Sequence, residues 1–280
     1  MGYSPAMEAI DKLFGLTIFV MVAVVFVPLE RLVPFHGQRV LRRNWKHDLT
    51  FWVLNHPMVY VGGLLMIVGA VFLNQQVVPQ SISAGIGDLS LWASVPLAIL
   101  LSDMTFYFVH RASHAFPVLW QFHAVHHSIR DLDWLAGIRA HPADQLITTV
   151  SGLSLLVALG FSAETLAITS AIYLWQSNAA HCNVRIPLGP LARVIVGPRF
   201  HHWHHSTNPL ARDRNFAGQL AFLDWIFGTA YDPADRLPVE YGADDPVPDS
   251  YAGAFAYPIK RLYRMAKGSL DEVTAPKADV

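Results

Sequence analysis

The residues that set the problem are histidines. The stretch "RFHHWHHSTNP" at 199–209 holds four within five positions, His201, His202, His204 and His205. The chain carries 14 histidines, and 11 of them lie between positions 110 and 205. Their spacing repeats. His110 and His114 are four apart, which puts both imidazoles on one helix face. His123, His126 and His127 form H-x-x-H-H, and His201, His204 and His205 form it again. His202 points about 100° away from His201 on a helix and reads as a bystander. Imidazole nitrogen suits zinc, copper, iron and nickel. A single zinc takes four ligands, three of them from protein when the site is catalytic. The pair and the two triplets already offer eight nitrogens, enough for two metals and too many for one. The alternative is a set of polar helix faces, which three such groups in 96 residues make a poor explanation.

The elements that must position these side chains are membrane helices. Of 280 residues, 53% are hydrophobic and only 15% charged, where a soluble domain carries about a quarter. Mean hydropathy is +0.33. Apolar runs of bilayer length fall at 13–29, 51–73 and 89–109. A fourth region, 146–176, is too long for one upright helix and is broken by "GFSAE" at 160–164. Gly160 is placed to end one helix and Ser162 to cap the next, which predicts a helical hairpin that enters the membrane and returns. Two helices of a buried core are the other reading. The first span reads as retained rather than cleaved, because Glu8 and Asp11 precede it and no small-residue cleavage site follows.

The expected fold is therefore all-α and polytopic, with about four transmembrane helices, counting the hairpin, under a cytoplasmic helical cap that holds a histidine-rich dimetal site. Arg31, Arg39, Arg42, Arg43 and Lys46 lie between the first two spans, and the 74–88 loop has no lysine or arginine. By the positive-inside rule the 30–50 loop and everything from His110 onward, apart from the hairpin, face the cytoplasm. Residues 1–265 read as one integral domain and 266–280 as a polar tail. Cys182 is the only cysteine, so no internal disulfide forms. The net charge of −1 gives no invitation to nucleic acid.

The stretch "SDMTFYFVHRASHAFPVLWQFHAVHHS" resembles the fatty acid hydroxylase / sterol desaturase superfamily of membrane di-iron oxygenases. That family shows H-x(3,4)-H, H-x-x-H-H and a late H-x-x-H-H followed by N-[FY]-G. Here the late part reads "HHWHHSTNPLARDRNFAGQLAFLDWIFGT", with "NFAG" a departure. The likeness covers about 95–230. It implies two irons that activate O2 and attack a C–H bond of a lipid. Carried over by position, the metal ligands are His110, His114, His123, His126, His127, His141, His181, His201, His204 and His205. Zinc outcompetes Fe(II) at such a site, so zinc is compatible with the protein as purified.

Neutral imidazoles leave two irons highly charged, and carboxylates on the free ring N–H groups would offset this. Asp103, Asp131, Asp133, Asp144 and Asp224 are the candidates, and Asp103 lies seven residues before His110 at a span end, where an ionisable group is a functional suspect. Asn178 and Asn183 flank His181 and are placed to orient it, or to cap a helix or turn. Asp103, Asp144, Asn178 and Asp224 are the expected catalytic residues. Tyr107, Phe108 and Tyr173 would form an apolar ceiling, with Ala171 lining the entry of a lipid tail. Trp120, Trp134, Trp203 and Trp225 line a pocket or serve as interfacial anchors. No dinucleotide or haem signature appears, so electrons are expected from a separate cytochrome b5-like protein or a ferredoxin/reductase pair. Arg193, Arg199, Arg212, Arg214 and Arg236 could dock it, or simply retain the cytoplasmic side. The expected activity is lipid hydroxylation (fatty-acyl, sterol, carotenoid or ether lipid). Desaturation at the same site is an alternative, and a non-enzymatic zinc-binding membrane protein is another.

Overall fold

The computed structural model describes the backbone of residues 5–39, 41–233 and 236–274, and the side chains of 16–39, 41–233 and 236–268. The helices are α1 (Pro5–Leu32), α2 (Trp45–Val77), α3 (Gln80–Gly87), α4 (Leu91–Ala115), α5 (Pro117–His127), α6 (Pro142–Gln145), α7 (Ser151–Leu159), α8 (Ala163–His181), α9 (Pro198–His204), α10 (Phe222–Ile226) and α11 (Tyr251–Thr274). No β-sheet occurs among the described residues; isolated bridges join Pro34 to Val184 and Ser206 to Tyr241. The protein is all-helical, as its spacing predicted.

Among the described residues, three helices are long and apolar enough to cross a membrane: α2, α4 and the continuous run Pro142–Leu159. That run joins α6 to α7 through a π-helical turn at Leu146–Val150. The expected span at 13–29 falls in α1, which buries Val22 and Phe26 against Trp134 and Cys182 and exposes Val20, Met21 and Val24. α2 exposes Leu64, Leu65, Val68 and Phe72 along its length, a surface that only an apolar surrounding leaves without penalty.

The broken fourth region folds as its punctuation requires. Gly160 sits at φ 91° and its N–H closes α7 on the Val157 carbonyl at 3.0 Å, a left-handed conformation that glycine adopts without strain. The Ser162 hydroxyl then accepts from the Thr165 N–H at 3.2 Å and starts α8. α7 packs on α4 so closely that a Cβ at Gly152 would lie 3.0 Å from the Ser102 carbonyl oxygen. The buried Ser94 and Thr165 hydroxyls, 2.8 Å apart, tie α4 to α8.

Proline sets the entry of the cap helices. Phe116 precedes Pro117 and is extended (φ −98°, ψ 118°), because the proline ring disfavours the α region for the residue before it. α4 therefore stops at Ala115, and α5 turns back to lie against it. His141 before Pro142 and Gly197 before Pro198 are extended in the same way and open α6 and α9.

A buried ion network braces the cap against α2. Arg42 donates to both oxygens of Asp133, at 2.7 and 2.8 Å, and also to Asp48. Arg139 donates to the other oxygen of Asp48. Asp133 further accepts from the Leu135 and Ala136 N–H groups at 3.1 and 2.7 Å. α11 runs to Thr274, so 266–274 is helical where a polar tail was expected; 275–280 lie outside the described residues.

Removing one partner from a buried ion network leaves uncompensated charge, at a cost of about 3–5 kcal/mol. Asp48→Ala strands Arg139 and leaves Arg42 with Asp133 as its one carboxylate partner. It is expected to lower the thermal midpoint of the detergent-purified protein sharply, while an exposed replacement such as Asp131→Ala leaves it unchanged; equal midpoints for both would refute the bracing role.

Candidate metal centre

Four helix segments deliver the histidines to one place. The end of α4 supplies His110 and His114, and α5, folded back on it, supplies His123, His126 and His127. The last residue of α8 is His181, and α9 with the residue after it gives His201, His204 and His205. Nine imidazoles converge in two groups. The first is His110, His114, His123, His127 and His204; the second is His126, His181, His201 and His205. Within each group the nitrogens lie within 4.8 Å of one another, and ligands facing each other across a metal at 2.0–2.1 Å stand about 4.2 Å apart.

Six rings have their Nδ1 fixed from outside. His110 donates to the Phe216 carbonyl at 2.7 Å, His126 to that of Arg139 at 3.0 Å, His181 to that of Ser177 at 2.8 Å and His204 to that of Arg214 at 2.7 Å. A carbonyl only accepts, so these four carry the proton on Nδ1 and turn a lone pair inward on Nε2. His123 Nδ1 lies 3.1 Å from both oxygens of Asp144, and His114 Nδ1 lies 3.1 Å from Asp213.

The inward nitrogens crowd together. Nε2 of His110 and His123 are 3.0 Å apart, His126 and His181 3.2 Å, and His181 and His201 2.9 Å. His114, His127 and His204 hold buried Nε2 atoms with no hydrogen-bond partner. Burial, reinforced by neighbouring imidazoles, holds His126, His127, His201 and His205 well below the ordinary histidine range. His204 is pushed down to about 3, chiefly by burial. The rings are neutral at physiological pH, and neutral imidazole is the form that binds metal. Buried, unpartnered, converging lone pairs of this kind fit a pair of divalent metal ions.

Several sequence expectations are corrected. His141 stands outside both groups. Its Nδ1 accepts from the Ala143 N–H at 3.1 Å as the cap of α6, and its Nε2 donates to the Phe255 carbonyl at 3.2 Å, so both nitrogens are occupied. Asn178 donates to the Leu174 carbonyl within its own helix and does not orient His181. Asn183 instead pairs with the His36 backbone, at 2.8 Å in each direction. Asp103 and Asp224 do not touch an imidazole. Asp103 accepts the N–H groups of Gly218, Gln219 and Leu220 at 3.0, 2.9 and 2.7 Å, and Asp224 accepts those of Phe216 and Ala217 at 2.8 and 2.9 Å. Both shape the loop whose carbonyls hold His110 and His204. Asp131 is exposed and Asp133 belongs to the Arg42 network. Of the five candidate carboxylates, only Asp144 reaches a converging histidine.

Sequence reasoning missed Asp213 and the carbonyl partners. The loop at 213–215 explains both. Asp213 and Asn215 are left-handed, φ 55° and 59°, and aspartate and asparagine tolerate that region better than other side chains. The Asn215 amide donates to the Phe200 and Tyr231 carbonyls, both at 2.8 Å, and accepts from the Tyr231 N–H at 2.7 Å. This locks the turn that aims the Arg214 and Phe216 carbonyls at the site. The only signal in the sequence was the "RNF" of the late stretch.

His202 lies outside both groups, yet it is not idle. It is fully buried, with Nδ1 2.8 Å from the Tyr241 hydroxyl and Nε2 donating to the Cys182 carbonyl at 3.1 Å. It thereby clamps α9 to the end of α8, where His181 sits. Trp134 and Trp203 are core residues, whereas Trp225 is exposed and lies under Arg193. Phe106, rather than Phe108, lies against His110, with ring centroids 5.1 Å apart. Arg199 and Arg212 pair with Asp232 and Asp244 at 2.6 and 2.9 Å. Two openings matter. A polar cavity of about 340 Å³, lined by His114, His127, His204, Arg212 and Asp213, reaches the first group. An apolar groove of about 500 Å³ runs along α8 past Ala171, Ile172, Trp175 and Ala179.

Comparison with known proteins places this arrangement. Residues 95–229 match the fatty acid hydroxylase family. An ornithine lipid hydroxylase of Rhizobium tropici is 29% identical over 170 residues, 61% of this chain and 51% of that protein. An alkylglycerol monooxygenase of Danio rerio is 32% identical over 153 residues, 54% of this chain and 33% of that one. A methylsterol monooxygenase of Arabidopsis thaliana is 28% identical over 147 residues, 50% and 55% of the two chains. The chain thus spans between a third and somewhat over half the length of these relatives. No solved structure matches. The stretch that matches the fatty acid hydroxylase family, 95–229, carries all nine converging histidines.

Proposed function

We propose that this protein is an O2-dependent di-iron oxidoreductase that hydroxylates a C–H bond of a membrane lipid. The observation that carries the reading is the pair of buried imidazole groups at the base of apolar helices long enough to cross a membrane. The relatives named above act, by their names, on an ornithine lipid, alkylglycerols and methylsterols. Each combines an apolar body with an oxygen- or nitrogen-bearing part.

The redox metals supply O2 activation, which no side chain can perform. His110, His114, His123, His127 and His204 would hold one ion, and His126, His181, His201 and His205 the other. Asp144 and Asp213 take the outer protons of His123 and His114 in hydrogen bonds, which fixes those rings and raises their basicity as ligands. Asp103, Asp224 and Asn215 position the loop that orients His110 and His204. His202 and Tyr241 act through the end of α8. The apolar groove past Ala171 is the approach for the lipid's tail from the bilayer.

The basic loop at 30–50 supports a cytoplasmic site. Electrons then come from a separate carrier, a cytochrome b5-like protein or a ferredoxin/reductase pair, reaching the first group from the side of the polar cavity.

Metal content and Mössbauer spectra on protein grown with 57Fe test the centre. Two irons per chain are expected, one for each group. His126→Ala and His204→Ala are expected to abolish oxygenation and lose iron. Asp144→Ala should weaken metal binding by roughly 10–100-fold, and His202→Ala should retain part of the activity. Equal and complete loss in all four would sink the ligand assignment, and one zinc or none under iron-replete growth would favour a non-enzymatic metal protein. The groove has its own test: Ala171→Trp should abolish turnover of a long-chain lipid with iron content unchanged, and normal turnover would remove the groove from the substrate path.

A further inference from the structure

α11 has two faces, and only one of them is used. At 100° per residue, Ala254, Tyr257 and Arg261 share the face that packs on the cap. Ala254 and Tyr257 are buried with Phe51 and Val125, and Arg261 donates to Gln121 at 3.2 Å. The opposite face carries Ile259, Tyr263 and Ala266, with Leu262 half buried at its border. Ile259 is 63% exposed and Tyr263 70% exposed, so this apolar stripe points away from everything described. Lys260, Arg264 and Lys267 run along one border of it, all three exposed.

The position of the helix says what lies opposite that stripe. Its first turn leans on the third turn of the apolar helix α2: the Tyr251 hydroxyl donates to Asn55 at 3.0 Å, and the rings of Tyr251 and Phe51 are 5.0 Å apart. One turn later the Phe255 carbonyl accepts from His141, which caps the start of the apolar run Pro142–Leu159, and Phe255 stacks on the His141 ring at 5.2 Å. α11 therefore leaves from the foot of two membrane-crossing helices, at the level where hydrocarbon gives way to headgroups. An apolar stripe edged by lysine and arginine at that level suits the headgroup region of a bilayer, with its cations on acidic headgroups.

We propose that α11 lies on the membrane surface as an interfacial helix, with Ile259 and Tyr263 inserted among the lipids and Lys260, Arg264 and Lys267 bound to anionic headgroups. It fastens the cap that carries the histidines to an anionic leaflet. The partner is an anionic lipid surface, and the assignment is independent of the metal reading.

The test uses the full chain in nanodiscs of phosphatidylcholine alone or mixed with phosphatidylglycerol. Cys182 is fully buried, so an environment-sensitive fluorophore reports on an added cysteine. A probe at Tyr263→Cys is expected to emit to the blue and to be quenched by lipids spin-labelled near the headgroup, more so with phosphatidylglycerol. A probe at Gly268→Cys, on the other side of the helix, should emit as in water. The combined Lys260→Gln, Arg264→Gln and Lys267→Gln variant, which keeps chain length and helix propensity, should lose the phosphatidylglycerol-dependent part. Water-like emission at Tyr263→Cys in both discs would overturn the proposal. An identical shift in neutral and anionic discs would overturn the anionic specificity. A blue shift in detergent that fades on dilution would instead make the stripe a contact between copies of the chain.

Discussion

The structure turns on the mutual repulsion of buried lone pairs. Nine imidazoles point nitrogen at nitrogen, several at 2.9–3.2 Å, with almost no water-facing surface to relieve them. Such an assembly is unfavourable on its own account, since each buried acceptor without a donor costs about 1–3 kcal/mol. A cation between the nitrogens converts that cost into binding energy. Everything around the histidines serves to keep the rings from turning away.

Three devices do this, each local and each of a different kind. Proline at the first position of α5, α6 and α9 fixes where those helices begin and so which face of each turns toward the histidines. Backbone carbonyls of Arg139, Ser177, Arg214 and Phe216 then settle which ring nitrogen carries the proton. Buried carboxylates act one layer further out, Asp103 and Asp224 on backbone N–H groups and Asp48 and Asp133 on arginines. A carboxylate that accepts several N–H groups needs no metal or substrate to stay buried, and this is how Asp103 is accommodated within an apolar helix.

What could be read from the sequence follows from how local each signal is. The i, i+4 and H-x-x-H-H spacings fix a helix face by periodicity alone and gather eight of the nine converging histidines; His181 comes only from the family resemblance. Gly160 and Ser162 mark the hairpin through single-residue conformational rules. The failures concern groups whose partners lie far along the chain. Nothing near His141 says that the Phe255 carbonyl, 114 residues away, occupies its nitrogen. Nothing near Asp103 says that it holds the loop at 218–220. Helix phase sets His202 apart from its neighbours, but its clamp needs Tyr241 and Cys182, which only the tertiary fold brings together. Asp213 had no signal beyond its charge, since what matters is the left-handed turn in which it sits.

The same geometry makes the two histidine groups electrostatically unequal. The first has five imidazoles and two carboxylates on their outer nitrogens, Asp144 and Asp213. The second has four imidazoles, with the outer nitrogens of His126 and His181 on neutral carbonyls and those of His201 and His205 buried without a partner. A divalent ion in the first group would have its charge offset by protein, and the polar cavity brings solvent to that group. An ion in the second would sit among neutral donors, with one ligand fewer and no anion within hydrogen-bond reach of its rings. The two groups adjoin: His126 and His127 are neighbours on α5, His205 directly follows His204 at the end of α9, and the stacked rings of His127 and His205 lie 4.6 Å apart across the boundary. The two groups are in this sense one site, and the adjacent histidines of the two H-x-x-H-H triplets join its halves.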